Sequence, residues 1–105
     1  MKFRSNNCVA IHVLDLKKAE TFYSGVMHFR LASKSPTQLD YDTGKLSLSV
    51  HKSAKVRTPI PSFTVISLEA AKGHLSQNGC EIIEERANGI YFKDPLGMVY
   101  HVVAD

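Results

Sequence analysis

The chain carries one pattern twice, and the copies stand 52 positions apart. Val9, Ile11 and Val13 alternate with Ala10, His12 and Leu14, the period of a half-buried strand. Asp15 follows as an N-cap, its carboxylate placed to accept from the first free N–H groups of a helix. Leu16, Ala19, Phe22, Tyr23 and Val26 then fall on one helical stripe. A shift of 52 carries Ile11 to Phe63, Val13 to Val65, Leu16 to Leu68, Ala19 to Ala71 and Tyr23 to Leu75. It also carries Leu48 to Tyr100 and Val50 to Val102. Apolar positions land on apolar positions, the mark of an internal duplication whose unit cannot bury its apolar face alone.

The remaining segments complete the unit. Residues 29–34, 38–42 and 46–51 read as strands, the last from Leu46, Leu48 and Val50 alternating with Ser47, Ser49 and His51. The stretch 52–61, with two prolines and three basic residues, reads as a linker. The second copy repeats the order: a strand over 62–67, a helix over 68–78 with Gly79 as a left-handed cap, then strands over 80–84, 89–93 and 98–103. Asp94-Pro95-Leu96-Gly97 is a turn by composition. The expected fold class is α+β, two βαβββ modules within a single domain. Module one covers about 7–52, the linker about 53–61 and module two about 62–105.

Composition narrows the function. Apolar content of 44% and charged content of 22% are those of an ordinary globular protein. No apolar run is long enough to span a bilayer, and the opening MKFRSNN is too polar for a signal peptide. The default expectation is therefore a cytoplasmic protein without a membrane partner. The formal charge of +3 comes from scattered Lys and Arg. A nucleic-acid surface needs a basic stripe with stacking aromatics, so no nucleic-acid partner is expected. Cys8 and Cys80 lack CxxC spacing and read as small buried hydrophobes rather than a disulfide.

Three stretches resemble a known superfamily: LDLKKAETFY at 14–23, VMHF at 26–29 and YFKDPLGMVYHV at 91–102. With the duplicated order, they resemble the vicinal oxygen chelate superfamily of glyoxalases, extradiol dioxygenases, fosfomycin-resistance enzymes and bleomycin-resistance proteins. The resemblance implies mixed, curved sheets around a central cleft, with the helices outside. His28 stands where that superfamily has glycine, and histidine is among the few residues that accept a left-handed backbone. The resemblance also implies four inward ligand positions for metal, which fall on Cys8, Ser49, Ile60 and His101. A divalent metal enzyme needs about three protein ligands and one open position. Ile60 cannot bind metal and Ser49 is a poor ligand, so a chain without the usual metal site is expected.

Strand alternation independently predicts the lining of the cleft. If Val9, Ile11 and Val13 face the helix, Cys8, Ala10 and His12 face away from it. The same logic turns Ser47, Ser49 and His51 inward, then Ser62 and Thr64, then Val99, His101 and Val103. Phe92 matches the superfamily's core aromatic, leaving Tyr91 for the cleft. The candidate ligand-binding set is Cys8, His12, Ser47, Ser49, Ile60, Ser62, Thr64, Tyr91 and His101. No carboxylate is placed among them, which suits hydrogen bonding to a small molecule rather than acid/base work by paired carboxylates.

Each candidate has a plainer reading. His12 is equally a satisfied structural histidine. His51, ending its strand, reads as exposed, and His28 and His74 as helix-surface residues. Cys8 reads as an inert buried thiol, or as a nucleophile were His101 to stabilise its thiolate. No catalytic residue is assigned.

The expectation is a glyoxalase-like or bleomycin-resistance-like small-molecule binding protein that needs no cofactor. The resemblance implies a homodimer, and it implies acidic clefts in the branch that takes cationic drugs. This chain is net positive, so a neutral or anionic ligand is expected. The alternative is a metal-dependent lyase, isomerase or transferase with one divalent ion on Cys8, His12 and His101. A third reading is an interaction module without a ligand.

Overall fold

The computed structural model describes residues 1–105, apart from the side chain of Thr58. It divides into two compact units: Asn7–Ile60, and Met1–Asn6 together with Pro61–Asp105. The first holds most of β1 (Arg4–Val13), then α1 (Leu16–Glu20) running on as a π-helical turn (Thr21–Val26). Strands β2 (Arg30–Lys34), β3 (Gln38–Asp42) and β4 (Ser47–Lys52) follow. The second holds most of β5 (Arg57–Val65), then α2 (Leu68–Gln77), β6 (Glu81–Arg86), β7 (Gly89–Lys93) and β8 (Val99–Ala104). Strand order is β2-β3-β4-β1 in one unit and β5-β8-β7-β6 in the other. In each, the first strand pairs parallel with the last and the remaining neighbours run antiparallel. These are two βαβββ modules.

Local chemistry explains the helices. Asp15 Oδ1 accepts from the Lys18 N–H at 3.1 Å, the expected cap. Ser67, read as the end of a strand, plays the same part for α2 by accepting from the Ala70 N–H at 3.1 Å. Each helix sets one small residue, Ala19 or Ala71, against its sheet. Around Ala19 pack Ile11, Leu39, Tyr41 and Val50. Around Ala71 pack Leu75, Val65, Ile90, Phe92 and Val102. Each large side chain buried in this way stabilises the fold by about 1.5–3 kcal/mol relative to exposure.

The duplication extends to hydrogen-bond register. Ile11 is opposite Val50 as Phe63 is opposite Val102, and Ala10 is opposite Ser49 as Ser62 is opposite His101. A slip of one residue would turn every side chain to the other face, so equal registers mean equal faces. Strands β2 and β6 even share a bulge, between Leu31 and Ser33 and between Ile82 and Glu84. Bulges of this kind disrupt an open edge against unwanted pairing.

The boundaries depart from expectation at two places. Residues 57–61 of the expected linker belong to β5. The ladder from β5 to β8 begins only at Ser62, so Pro59 and Pro61 lack no N–H that it requires. Residues 1–6 join the second unit, where Asn6 Nδ2 donates to Ser62 Oγ at 2.9 Å and Arg4 pairs with Asp105 at 2.7 Å. Asn7, at φ 58°, marks the handover.

One departure lies inside the first helix. Tyr23 and Leu75 stand 52 apart, whereas Phe29 and Cys80 stand 51 apart. The first copy therefore has one extra residue between those points, and the helix takes it up as a π turn. Met27 N–H bonds to Phe22 O at 2.9 Å, five residues back, and Phe29 N–H to Tyr23 O at 3.0 Å. In the second copy Cys80 N–H closes on Leu75 O at 3.0 Å with one residue fewer. His28 (φ 58°) and Gly79 (φ 86°) end the two helices in the same left-handed conformation, as the resemblance implied.

The widened turn brings Ser24 Oγ within 2.8 Å of the phenol of Tyr41, a residue with no exposed surface. The second copy has Phe92 at that place, with no hydroxyl to satisfy. Ser24→Ala should therefore cost about 1–3 kcal/mol in urea unfolding, the cost of an unpaired buried hydroxyl. Adding Tyr41→Phe should recover part of that loss, and a double variant less stable than Ser24→Ala alone would refute the assignment.

Candidate functional site

The helix-free face of the first sheet is polar because its helix-facing residues are apolar. On this face β1 places Cys8, Ala10 and His12, β4 places Ser47, Ser49 and His51, and β3 places Gln38, Asp40 and Asp42. Asp40 is the centre. Its Oδ1 accepts from Ser49 Oγ at 2.8 Å and from Gln38 Nε2 at 2.8 Å, and its Oδ2 accepts from Ser33 Oγ at 2.7 Å. Burial pushes this carboxyl upward, but the bonds from Gln38, Ser33 and Ser49 and the nearby charge of His51 outweigh it. The net shift is below the ordinary 3.8.

A carboxylate has no proton to give, so Ser49 donates to Asp40. Ser49 Oγ is left only with lone pairs toward Cys8 Sγ, 3.5 Å away. The bonds thus run one way, from thiol to hydroxyl to carboxylate. Ser47 lies opposite Cys8 in register and is exposed. At the other end of the strand pair His12, 3% exposed, stacks on His51 with ring centroids 5.3 Å apart. His51, expected at the surface, is half-buried. His28 and His74 are exposed as expected.

The second sheet's helix-free face gathers Ser62, Tyr91 and His101. Asn6 Nδ2 can only donate, so Ser62 Oγ accepts from it, and the same hydroxyl lies 3.3 Å from His101 Nδ1, where either atom can be the donor. The Tyr91 ring, 2% exposed, stacks on His101 at 4.5 Å. Thr64 is half-buried two residues along from Ser62 and opposite Val103. Gly89 makes room for this arrangement. A Cβ there would stand 2.7 Å from Val102 O and 2.8 Å from His101 Nε2, closer than real contacts allow. Ile60 is a buried hydrocarbon, 2% exposed.

Sequence reading missed Asp40, and the expectation of a face without a carboxylate is corrected by it. The signal was present: Gln38, Asp40 and Asp42 alternate with the buried Leu39 and Tyr41. It also missed Ser33, Asn6 and Gly89, whose roles depend on neighbours across strands.

The positions that the resemblance implies as metal ligands are a poor donor set. Ile60 offers no donor atom, and the hydroxyl proton of Ser49 is held by Asp40. Among the described residues, no group of three or more His, Cys, Asp or Glu side chains could hold a metal ion. Cys8 and His12 lie four residues apart on one strand, about 13 Å along it.

No protein-family model matches the chain, and no curated protein does. Solved structures do. A hypothetical protein of Bacillus halodurans matches with a TM-score of 0.72 at 13% identity, over 100% of this chain and 96% of that one. An extradiol ring-cleaving dioxygenase of B. fuscum matches at 0.74 and 18% identity, over 99% of this chain. Homoprotocatechuate 2,3-dioxygenase of Arthrobacter globiformis matches at 0.74 and 18%, also over 99%. This chain spans only 33% and 37% of the two dioxygenase chains. The fold is the vicinal oxygen chelate fold.

Two outcomes follow from this geometry. Gly89→Ala should destabilise the protein by about 1–3 kcal/mol in chemical denaturation, as overpacking does, and shift the His101 imidazole resonances. Asp40 is depressed on folding, so its stabilisation is present above the unfolded value near 3.8 and lost as pH falls below it. The wild type should therefore unfold at a higher temperature than Asp40→Asn at neutral pH, and the gap should close in acid. An equal gap at all pH values would mean that the carboxylate charge is not what matters.

Proposed function

We propose that this chain is a glyoxalase-like or bleomycin-resistance-like small-molecule binding protein, taking its ligand on the helix-free sheet faces without a metal. The observation that carries this reading is the one-way chain from Cys8 through Ser49 to Asp40. It ends on the negative charge of Asp40, which favours a partner that donates hydrogen bonds. Such a surface selects a molecule that offers hydrogen-bond donors. Of the neutral and anionic ligands expected from net charge, Asp40 favours the neutral. An anion about 4 Å from that carboxylate would be repelled by about 4 kcal/mol at an effective dielectric of 20.

One dioxygenase of this fold is described in complex with 3,4-dihydroxyphenylacetate, whose hydroxyls are donors of the required kind. Neutral phenols and catechols are therefore the first probes. We further propose that the protein works as a homodimer, which sedimentation equilibrium tests.

The deciding experiment screens neutral donors by thermal shift on untagged protein, with and without a chelator. Stabilisation by a phenol should survive the chelator and disappear in Ser49→Ala. Stoichiometric zinc, nickel, manganese or iron in the purified protein, or binding that requires added metal, would overturn the reading.

A further inference from the structure

The two copies differ most on their helix-bearing faces. The first fills the space beneath its helix with the rings of Tyr23, Phe29 and Tyr41, whose centroids lie 5.9–6.4 Å apart. The matching positions of the second are Leu75, Cys80 and Phe92, so two of the three rings are missing there. The second copy instead puts Phe63 and Tyr100 on its strands, where the first has Ile11 and Leu48. The result is a cavity of about 290 Å³ lined by Phe3, Phe63, Leu75, Phe92, Tyr100 and Asp94. That is roughly ten waters' worth of liquid.

Four aromatic rings and one carboxylate line this space, and no basic side chain does. The Tyr100 ring lies 5.8 Å from Phe63 and 5.7 Å from Phe92, tilted against both. A group seated on Tyr100 thus comes near several ring faces, within the roughly 6 Å over which a cation is attracted to a ring's negative face. Asp94 is held in place, its Oδ1 accepting from the N–H groups of Leu96 at 2.8 Å and Met98 at 2.9 Å. It enters no ion pair among the described residues. Its field is felt nearby: the Cys80 thiol is pushed up by burial and then by the charge of Asp94. A purely apolar ligand would leave that charge uncompensated.

We propose that this pocket is a second binding site, for a small alkylammonium cation such as a quaternary or methylated amine. It lies on the face opposite Ser62 and His101, so it does not depend on the reading of the helix-free faces. The rings supply cation–π attraction and desolvation, and Asp94 supplies the counter-charge.

The test is an NMR titration of the full chain with choline, beside its neutral isostere 3,3-dimethylbutan-1-ol. Choline should shift Phe63, Tyr100 and Cys80 resonances saturably, and the alcohol should bind at least roughly tenfold more weakly. Asp94→Asn keeps the Oδ1 acceptor for Leu96 and Met98, and should weaken choline roughly three- to tenfold while leaving the alcohol unchanged. Phe63→Leu, half-buried and outside the turn, should also weaken choline and guards against a variant that disturbs the loop. Equal binding of the alcohol, an Asp94→Asn variant that binds choline as before, or the absence of saturable shifts in the pocket would each overturn the proposal.

Discussion

Everything in these modules depends on which face of each sheet its helix covers. Ala19 and Ala71 set that choice, because a methyl side chain lets the helix lie close over the alternating apolar rows. Slide β4 by one residue and Ser49 would lie beneath the helix with Val50 outside. Turn β3 over and Asp40 would follow, away from the donors that satisfy it. An ionised carboxylate buried without partners is costly enough to exclude that arrangement. Apolar packing on one face is therefore what makes the other face polar.

On that polar face, hydrogen bonds have direction as well as position. Asp40 can only accept, so it decides which way the hydroxyl of Ser49 turns. Ser49 becomes an acceptor toward Cys8, while Ser62 accepts from Asn6 and lies beside His101. The two serines stand on the helix-free faces of their sheets with different partners.

The copies have diverged in ways that a shared register makes easy to read. One extra residue in the first helix becomes a π turn and brings Ser24 to the phenol of Tyr41. In the second copy a phenylalanine replaces that tyrosine and the helix needs no insertion. Two rings lost beneath α2 leave space, and two gained on β5 and β8 line it. Duplication preserved the frame while each helix-facing side was repacked separately.

Much of the frame was legible from residues alone. Asp15, the repeat of 52 and the alternation of Val and Leu with Ser and His are local signals, and local signals survive without a third dimension. Residues 57–61 were read as a linker because proline usually ends a strand, and nothing in the sequence shows where the ladder begins. Asp40 was passed over because its importance lies in Ser33, Gln38 and Ser49 converging on it from three strands. By itself, the sequence determined the two-module order and the sidedness of each strand, since both follow from periodicity. Only the tertiary structure decided which hydroxyl donates, which carboxylate holds a charge and where a missing ring leaves a cavity. Those depend on distances between residues far apart in the chain, and distance across strands is set by packing.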